Sequence, residues 1–354
     1  MDSSTVPPGS GSPVVLRPNG YSLALAVVLV AAAGFRFIGL NWDENQHLHP
    51  DERFLTMVET AIRLPGSLGG YFDTNSSPLN PHNAGHPFFV YGTFPIFLVR
   101  YLGEYLGRTG YDEIHMVGRA AAATFDLASI LLLFLIGARL YDRRVGQAAA
   151  ALAACTPLLI QHAHFFVVDS FTLTFILAAF YLAVRAGDES RWANEVLFGL
   201  AVGLAMASKI SAFPVAGLLP LAGLARLARA EPRSREAELS RVFLGWLVAG
   251  AAAFVTFRIF QPYAFTGPGL LGLAPNPKWV ANLTELRNQS QGSVDVPFAL
   301  QWASRTPVLF ALKNLVFWGM GPALGVTAWV GWGWALVRLV KGLQPRHLLP
   351  VVWT

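Results

Sequence analysis

Residues 21–54 read YSLALAVVLVAAAGFRFIGL followed by NWDENQHLHPDERF. The first twenty carry one charge, Arg36, and are long enough to cross a bilayer as a helix. The next fourteen hold four carboxylates (Asp43, Glu44, Asp51, Glu52), two histidines and an arginine. Only 13% of the 354 residues are charged, so this density at the mouth of an apolar span calls for a role. The pattern reads as a transmembrane helix that delivers catalytic carboxylates to a membrane surface.

The same apolar signal recurs along the chain. Further spans are read at 116–137, 146–162, 165–184, 192–208, 212–227, 242–260 and 315–337. Hydrophobic residues make up 54% of the chain and the mean hydropathy is +0.45. The class is therefore an all-α polytopic membrane protein with eight or more transmembrane helices. The net charge of +5 does not indicate nucleic acid, because the basic residues sit in short clusters between apolar blocks. Residues 1–20, rich in Pro, Ser and Gly, read as a disordered cytoplasmic tail. A cleaved signal peptide is the alternative for 21–33, since Ala31-Ala32-Ala33 has the form of a cleavage site. The apolar run continuing to Leu40 favours a retained span. The chain stops at Thr354, just inside another apolar run, so a C-terminal truncation or a missing ninth span is expected.

Arginines at 139/143/144, 185/191, 226–241 and 338/346, with Lys341, fall on one side when the spans alternate. That side reads as cytoplasmic. The protein is thus expected in the cytoplasmic membrane with its N-terminus inside and two long loops outside, 41–115 and 261–312. The stretch 87–99 is too short for a span and is interrupted by Gly92 and Pro95, so it reads as an interfacial or re-entrant helix. A crossing there would turn every later arginine cluster outward. The single Cys155 allows no intrachain disulfide. The sequon at Asn282 carries little weight alone.

Several polar residues are candidates for chemistry. Pro50 suits the first position of a helix, which makes Asp51 and Glu52 its first turn and 54, 55, 58 and 61 its apolar side. A carboxylate near a low-dielectric boundary can act as a general base, or it can simply cap the helix electrostatically. Asp43 and Glu44 read as interfacial. Asp169 lies one turn into a span at the same depth as Asp51, and serves either a cavity or a helix cap. Lys209 is the one base of its outer turn, either a phosphate ligand or a snorkelling side chain. Arg258 near the end of a span has the same two readings. Arg119 and Asp126, seven apart, are expected to pair on one helix face. His86 and His164 are candidates for acceptor contact or for structure. Asp43, His47, His49 and Asp51 match no helical metal motif, so no metal site is assigned. Trp42, Tyr71, Phe72, Trp279 and Trp302 form an interfacial belt or offer stacking faces to a ligand.

The order of these features resembles a known family. An acid pair (Asp51-Glu52) follows an arginine-bearing span. A His-Pro segment (His86-Pro87), Arg119, an Asp-Ser (Asp169-Ser170) and a lysine after Gly203-Leu-Ala come next in turn. This resembles the GT-C integral-membrane glycosyltransferases, above all the protein O-mannosyltransferases and aminoarabinose transferases. The string His-Pro-Asp-Glu is also similar to that of lipid-linked mannosyltransferases. The resemblance covers roughly 36–209. It implies a GT-C-like bundle whose large first extracytoplasmic loop carries amphipathic helices. It further implies an inverting transfer of a sugar from a polyprenyl-phosphate donor to a protein, lipid or glycan acceptor at the outer face.

On that resemblance the catalytic residues are Asp51, with Glu52 beside it, and Asp169. Lys209 binds the donor phosphate, and Arg258 is added as a second ligand. No cofactor is required by the sequence. His-Pro-Phe in place of His-Pro-Pro and the long tract 64–83 depart from the mannosyltransferase pattern and leave the acceptor class open. A secondary transporter is the rival reading, but its ionisable groups would lie at the bilayer midplane in repeated halves. A non-catalytic scaffold of glycan assembly is the third.

Overall fold

The computed structural model describes residues 20–189, 191–291, 305–306, 308–342 and 345–354. The tail expected over 1–20 lies outside them except for Gly20, as do 292–304 of the second long loop, including Trp302. Among the described residues the chain is a helical bundle without strands. Six of its helical stretches are long and apolar enough to cross a membrane.

Helix α1 (Gly20–Phe37) leads into the polar loop, and α2 (Pro50–Ala61) starts where the sequence places it. Pro50 occupies the first turn, Asp51 and Glu52 face the positive helix end, and His49 caps it by accepting from the Asp51 N–H. After the short α3 (Leu68–Phe72) comes α4 (Thr93–Leu106), whose fourteen residues span about 21 Å. That is too short to cross, and the segment expected at 87–99 is helical only from Thr93 onward.

The long α5 (Tyr111–Leu140) returns through the bundle. The span expected at 146–162 is instead two helices, α6 (Arg143–Ala154) and α7 (Pro157–Ala163). Proline has no N–H to continue the ladder and disfavours helix in the residue before it, so the break falls at Cys155-Thr156. Arg36 of α1 closes this break. Its guanidinium, wholly buried, is ion-paired with Asp126 of α5 and donates to the carbonyls of Ala154 (3.0 Å) and Ala153 (3.3 Å). One cation thus joins α1, α5 and the frayed end of α6. The expected Arg119–Asp126 pair does not form, because both residues find stronger partners on other elements.

α8 (Val168–Asp188) and α9 (Trp192–Ser208) form an antiparallel pair, and α10 (Leu218–Arg229) and α11 (Arg235–Phe260) continue the alternation. Gly199 and Gly203 let α9 meet α11 backbone to backbone. A Cβ at these positions would stand 2.2 and 2.6 Å from the Ala249 and Ala253 carbonyls. Among the described residues beyond α12 (Pro277–Ser290) come α13 (Leu309–Asn314) and α14 (Pro322–Val340), so the span expected at 315–337 begins only at Pro322. The chain ends in α15 (Leu348–Trp353).

Candidate active site

The N-terminus of α8 and the C-terminus of α9 meet at one end of the bundle. Asp169 stands in the first turn of α8, and Lys209 follows the last residue of α9. Each charge is favoured by the dipole of its own helix. Lys209 Nζ donates to Asp169 Oδ1 at 2.9 Å, and the side chains keep 43% and 36% of their surface open. An ion pair this exposed stabilises a fold by about 1 kcal/mol at most. Its reason for existing is therefore sought in binding rather than in folding. The ammonium group has three donors, of which Asp169 takes one.

Tyr91 joins this pair to α2. Its hydroxyl faces the carboxylates of Asp51 and Asp169, and burial together with these two acids pushes its pKa well above the ordinary tyrosine value. Tyr91 therefore remains a proton-bearing donor between the two acids. Its place is set by Gly92, whose N–H donates to the Ser208 carbonyl at 3.0 Å. A Cβ on Gly92 would lie 2.0 Å from the Ala207 carbonyl oxygen, so only glycine lets the loop approach the end of α9 this closely. Thr93, the next residue, is fixed by the Gln261 side chain (2.6 Å from its N–H) and by the Phe260 carbonyl.

Two histidines complete the rim. His49 accepts from the Asp51 N–H through Nδ1 (3.2 Å) and packs its ring on Phe165 at 4.8 Å. His162, at the end of α7, lies within electrostatic reach of Asp169, His49 and Lys209. Phe165 also lines an apolar cavity of about 370 Å³ with Ile38, Gly39, Trp42, Gln161 and His164. Asp51, Asp169 and Lys209 are thus brought together. Tyr91 and His162 are the members that sequence reasoning missed. The signal for Tyr91 was the Tyr-Gly step interrupting an apolar run. His162 was hidden in a segment read as one continuous span.

Beneath the rim lies a buried ion network centred on Arg119, which is fully buried. It donates to both oxygens of Asp43 at 2.9 Å, to both oxygens of Glu52 at 2.8 and 2.5 Å, and to the Leu40 carbonyl at 2.6 Å. Glu52 Oε2 also accepts the Phe166 N–H at 2.6 Å. This corrects two expectations. Glu52 is sealed from solvent and has both oxygens occupied, so it holds the site together and cannot meet a substrate. Asp43 is not turned to the surface but buried against Arg119. Burial works against its charge, but Arg119 and the Leu48 N–H outweigh this and hold its pKa below the usual carboxylate value.

Arg258 is corrected as well. Its guanidinium is buried and donates to the carbonyls of Leu270 (3.0 Å), Gly269 (2.6 Å) and Pro262 (3.3 Å), between the rings of Phe72 and Phe265. It staples the loop after α11 and is not directed at a phosphate. The other candidates are also held in place by the fold. Burial pushes the His86 pKa down, and its ring meets the Met57 backbone and the edge of Phe54. His164 bridges the Ile160 and Ile38 carbonyls at 2.8 and 3.1 Å. Asn282 of the sequon bonds His82, the Phe89 N–H and the Pro87 carbonyl, tying α12 to the first loop. Of the aromatic candidates, Trp42 packs edge-on to Phe165, Tyr71 on Phe72, and Trp279 against Phe257.

Residues 113–260 match a family described as dolichyl-phosphate-mannose-protein mannosyltransferase. This stretch runs from α5 to the end of α11 and contains Asp169 and Lys209 but not Asp51. No curated protein matches the chain. The fold is similar to that of the Archaeoglobus fulgidus oligosaccharyltransferase in complex with Zn and sulfate. There the TM-score is 0.56 at 18% identity over 93% of this chain and 45% of that one. The same enzyme tethered to an acceptor peptide containing the NVT sequon gives 0.57 at 15% identity, covering 94% of this chain and 45% of that one. The Saccharomyces cerevisiae protein O-mannosyltransferase Pmt1-Pmt2 complex bound to the sugar donor gives 0.53 at 16% identity, over 70% of this chain and 34% of that one. The chain spans less than half the length of these structures. It is an integral multi-pass membrane protein with the GT-C fold of the oligosaccharyltransferases and protein O-mannosyltransferases.

Proposed function

We propose that this chain is the membrane part of an inverting glycosyltransferase that uses a polyprenyl-phosphate-linked sugar. The observation that carries the reading is the convergence of Asp51, Tyr91 and the half-exposed Asp169–Lys209 pair at one end of the bundle. Such a transfer needs a base for the acceptor and a counter-charge for the departing phosphate. Asp51 takes the proton of the acceptor hydroxyl as its oxygen bonds to the anomeric carbon. The bond from that carbon to the phosphate oxygen breaks at the same time, and the phosphate leaves with the electron pair. Lys209 offers its remaining donors to that phosphate. Asp169 holds the ammonium in place, and Tyr91 donates to the Asp51 carboxylate. Attack opposite the leaving group inverts the sugar.

The apolar cavity behind Phe165 provides a berth for the isoprenoid chain next to the charged rim. The arginine clusters between the spans favour a reading in which this rim lies outside and the N-terminus inside. The acceptor is a protein, lipid or glycan hydroxyl.

The test is to measure turnover and donor binding separately. Asp51→Asn is expected to lower turnover by about 10²–10⁴-fold while donor affinity persists. Lys209→Ala is expected to weaken donor binding, with Lys209→Arg restoring part of it. Turnover unchanged in Asp51→Asn would exclude the base assignment. Proton-coupled uptake into vesicles would point to a transporter instead.

A further inference from the structure

The loop before α2 presses a histidine against the first turns of α5. Glu44, Asn45 and His47 take φ of +49°, +65° and +49°. Residues other than glycine hold such left-handed conformations only where their surroundings fix them. Arg53 helps to do so, donating to the His47 carbonyl at 3.2 and 3.3 Å. The His47 ring is thereby buried against Tyr111 and His115, with centroids 4.4 and 4.3 Å away. His115 stands four residues before Arg119, one helical turn nearer the start of α5.

The two imidazoles are buried with most of their nitrogens unpaired. His115 Nδ1 lies 3.3 Å from the Tyr111 carbonyl. A carbonyl only accepts, so Nδ1 carries the proton and the lone pair of the neutral ring stands on Nε2. That Nε2 is buried without a hydrogen-bond partner, as are both ring nitrogens of His47. Buried polar groups are nearly always paired, so three orphans in one place require an explanation. Metal-ligating histidines are oriented in this same way, by giving the far N–H to a carbonyl.

A third donor is at hand. Asp112 Oδ1 lies 3.8 Å from His47 Nε2, on a side chain that is 70% exposed. Donors around a tetrahedral zinc ion stand about 3.3 Å apart. Among the described residues no three His, Cys, Asp or Glu donors already close on one point. Here two are fixed by burial, and a small rotation of the exposed carboxylate completes the set. The surroundings also favour a cation. Asp43 and Glu52, both buried, share the single buried guanidinium of Arg119, and their other bonds come from uncharged N–H groups. Two imidazoles with one carboxylate suit zinc, whereas calcium and magnesium prefer oxygen alone.

We infer that His47, His115 and Asp112 bind one zinc ion, with water as the fourth ligand, and that the ion clasps the loop 41–49 to α5. None of the three residues belongs to the rim, so the inference does not rest on the sugar-transfer reading.

The experiment uses the full chain in detergent, stripped with EDTA and titrated with Zn²⁺ by calorimetry. One ion per chain is expected, and excess Mg²⁺ or Ca²⁺ should not compete. X-ray absorption should show nitrogen and oxygen ligands at about 2.0–2.2 Å. His47→Gln and His115→Gln are expected to abolish binding. Asp112→Asn alters an exposed side chain and so tests the site without threatening the core. It should weaken binding by about 10–100-fold or more, since losing even an outer partner of a ligand costs that much. Zinc should raise the melting temperature of the unaltered protein and leave that of Asp112→Asn nearly unmoved.

Asp169→Asn, at the rim, should bind zinc as the unaltered protein does. The inference is overturned if no zinc binds, or if Asp112→Asn binds with full affinity. Loss of zinc in Asp169→Asn with retention in Asp112→Asn would overturn it too, by placing the ion at the rim.

Discussion

The backbone N–H of Phe166 donates to Glu52 Oε2 at 2.6 Å, and this single bond fastens the start of α2 to the segment that leads into α8. Asp51 precedes Glu52 by one residue, and Asp169 follows Phe166 by three. The two carboxylates of the candidate site, 118 residues apart in sequence, are thus positioned through a third carboxylate that never meets solvent. Arg119 neutralises that third carboxylate and Asp43 together.

Removing Arg119 should therefore disable the site by unfastening it. Arg119→Met leaves Asp43 and Glu52 buried without a counter-charge, which costs about 3–5 kcal/mol. Thermal unfolding in detergent should show a large fall in the midpoint. Glu52→Gln, which keeps an acceptor for the Phe166 N–H, should fall less. An Arg119→Met variant that unfolds like the unaltered protein would refute the network's role.

Gly92 offers a steric test of how the rim is built. Gly92→Ala places a methyl 2.0 Å from the Ala207 carbonyl oxygen and must push the loop that carries Tyr91 away from the end of α9. Activity should drop sharply. Gly250→Ala adds the same methyl in a transmembrane helix where nothing lies within 4 Å, and should be close to neutral. Equal behaviour of the two variants would show that the contact at Gly92 relaxes without cost.

Glu59 of α2 predicts a dependence on pH. It is fully buried and neither carboxyl oxygen has a hydrogen-bond partner, so burial pushes its pKa well above the ordinary 4.5, against the pull of Arg100. A folded-state pKa above the unfolded one means that stability is fully present below 4.5 and is lost as pH rises through the folded value. Glu59→Gln removes this slope. The difference in melting temperature between Glu59→Gln and the unaltered protein should grow from pH 4.5 towards pH 8 in the variant's favour. A constant difference across that range would show that Glu59 is ionised in the folded protein.

Arg258 distinguishes a staple from a phosphate ligand. Arg258→Met strips donors from three loop carbonyls and should lower the melting temperature. Donor affinity, measured below that temperature, should stay within about twofold, because no hydrogen bond to phosphate is lost. A tenfold loss of affinity with unchanged stability would return Arg258 to the phosphate site.

Much of this arrangement was legible in the sequence because it rests on periodicity and on order along the chain. Apolar runs of bilayer length, proline at the start of α2 and the alternation of arginine clusters are local signals. They sufficed to place Asp51, Asp169 and Lys209 at one end of the bundle. The break at Pro157 was also local, but the apolar residues on both sides masked it.

The partners of the buried arginines were not legible. Arg119 and Asp126 share a helix face at a spacing of seven, yet Arg119 pairs with residues 67 and 76 positions away and Asp126 with one 90 positions away. Chain spacing describes neighbours on one helix and carries no information about which other helix will pack there.

By itself the sequence determined a membrane bundle with an acid-rich rim and a lysine opposite an aspartate. Tertiary structure decided which acids remain available. Adjacent residues on a helix point about 100° apart, so once α2 packs on α5 one of Asp51 and Glu52 must turn inward and the other outward. Packing of α5, not composition, sends Glu52 to Arg119 and leaves Asp51 beside Tyr91. The physical reason is that a buried carboxylate survives only with a counter-charge, and Arg119 stands on one side of α2 alone.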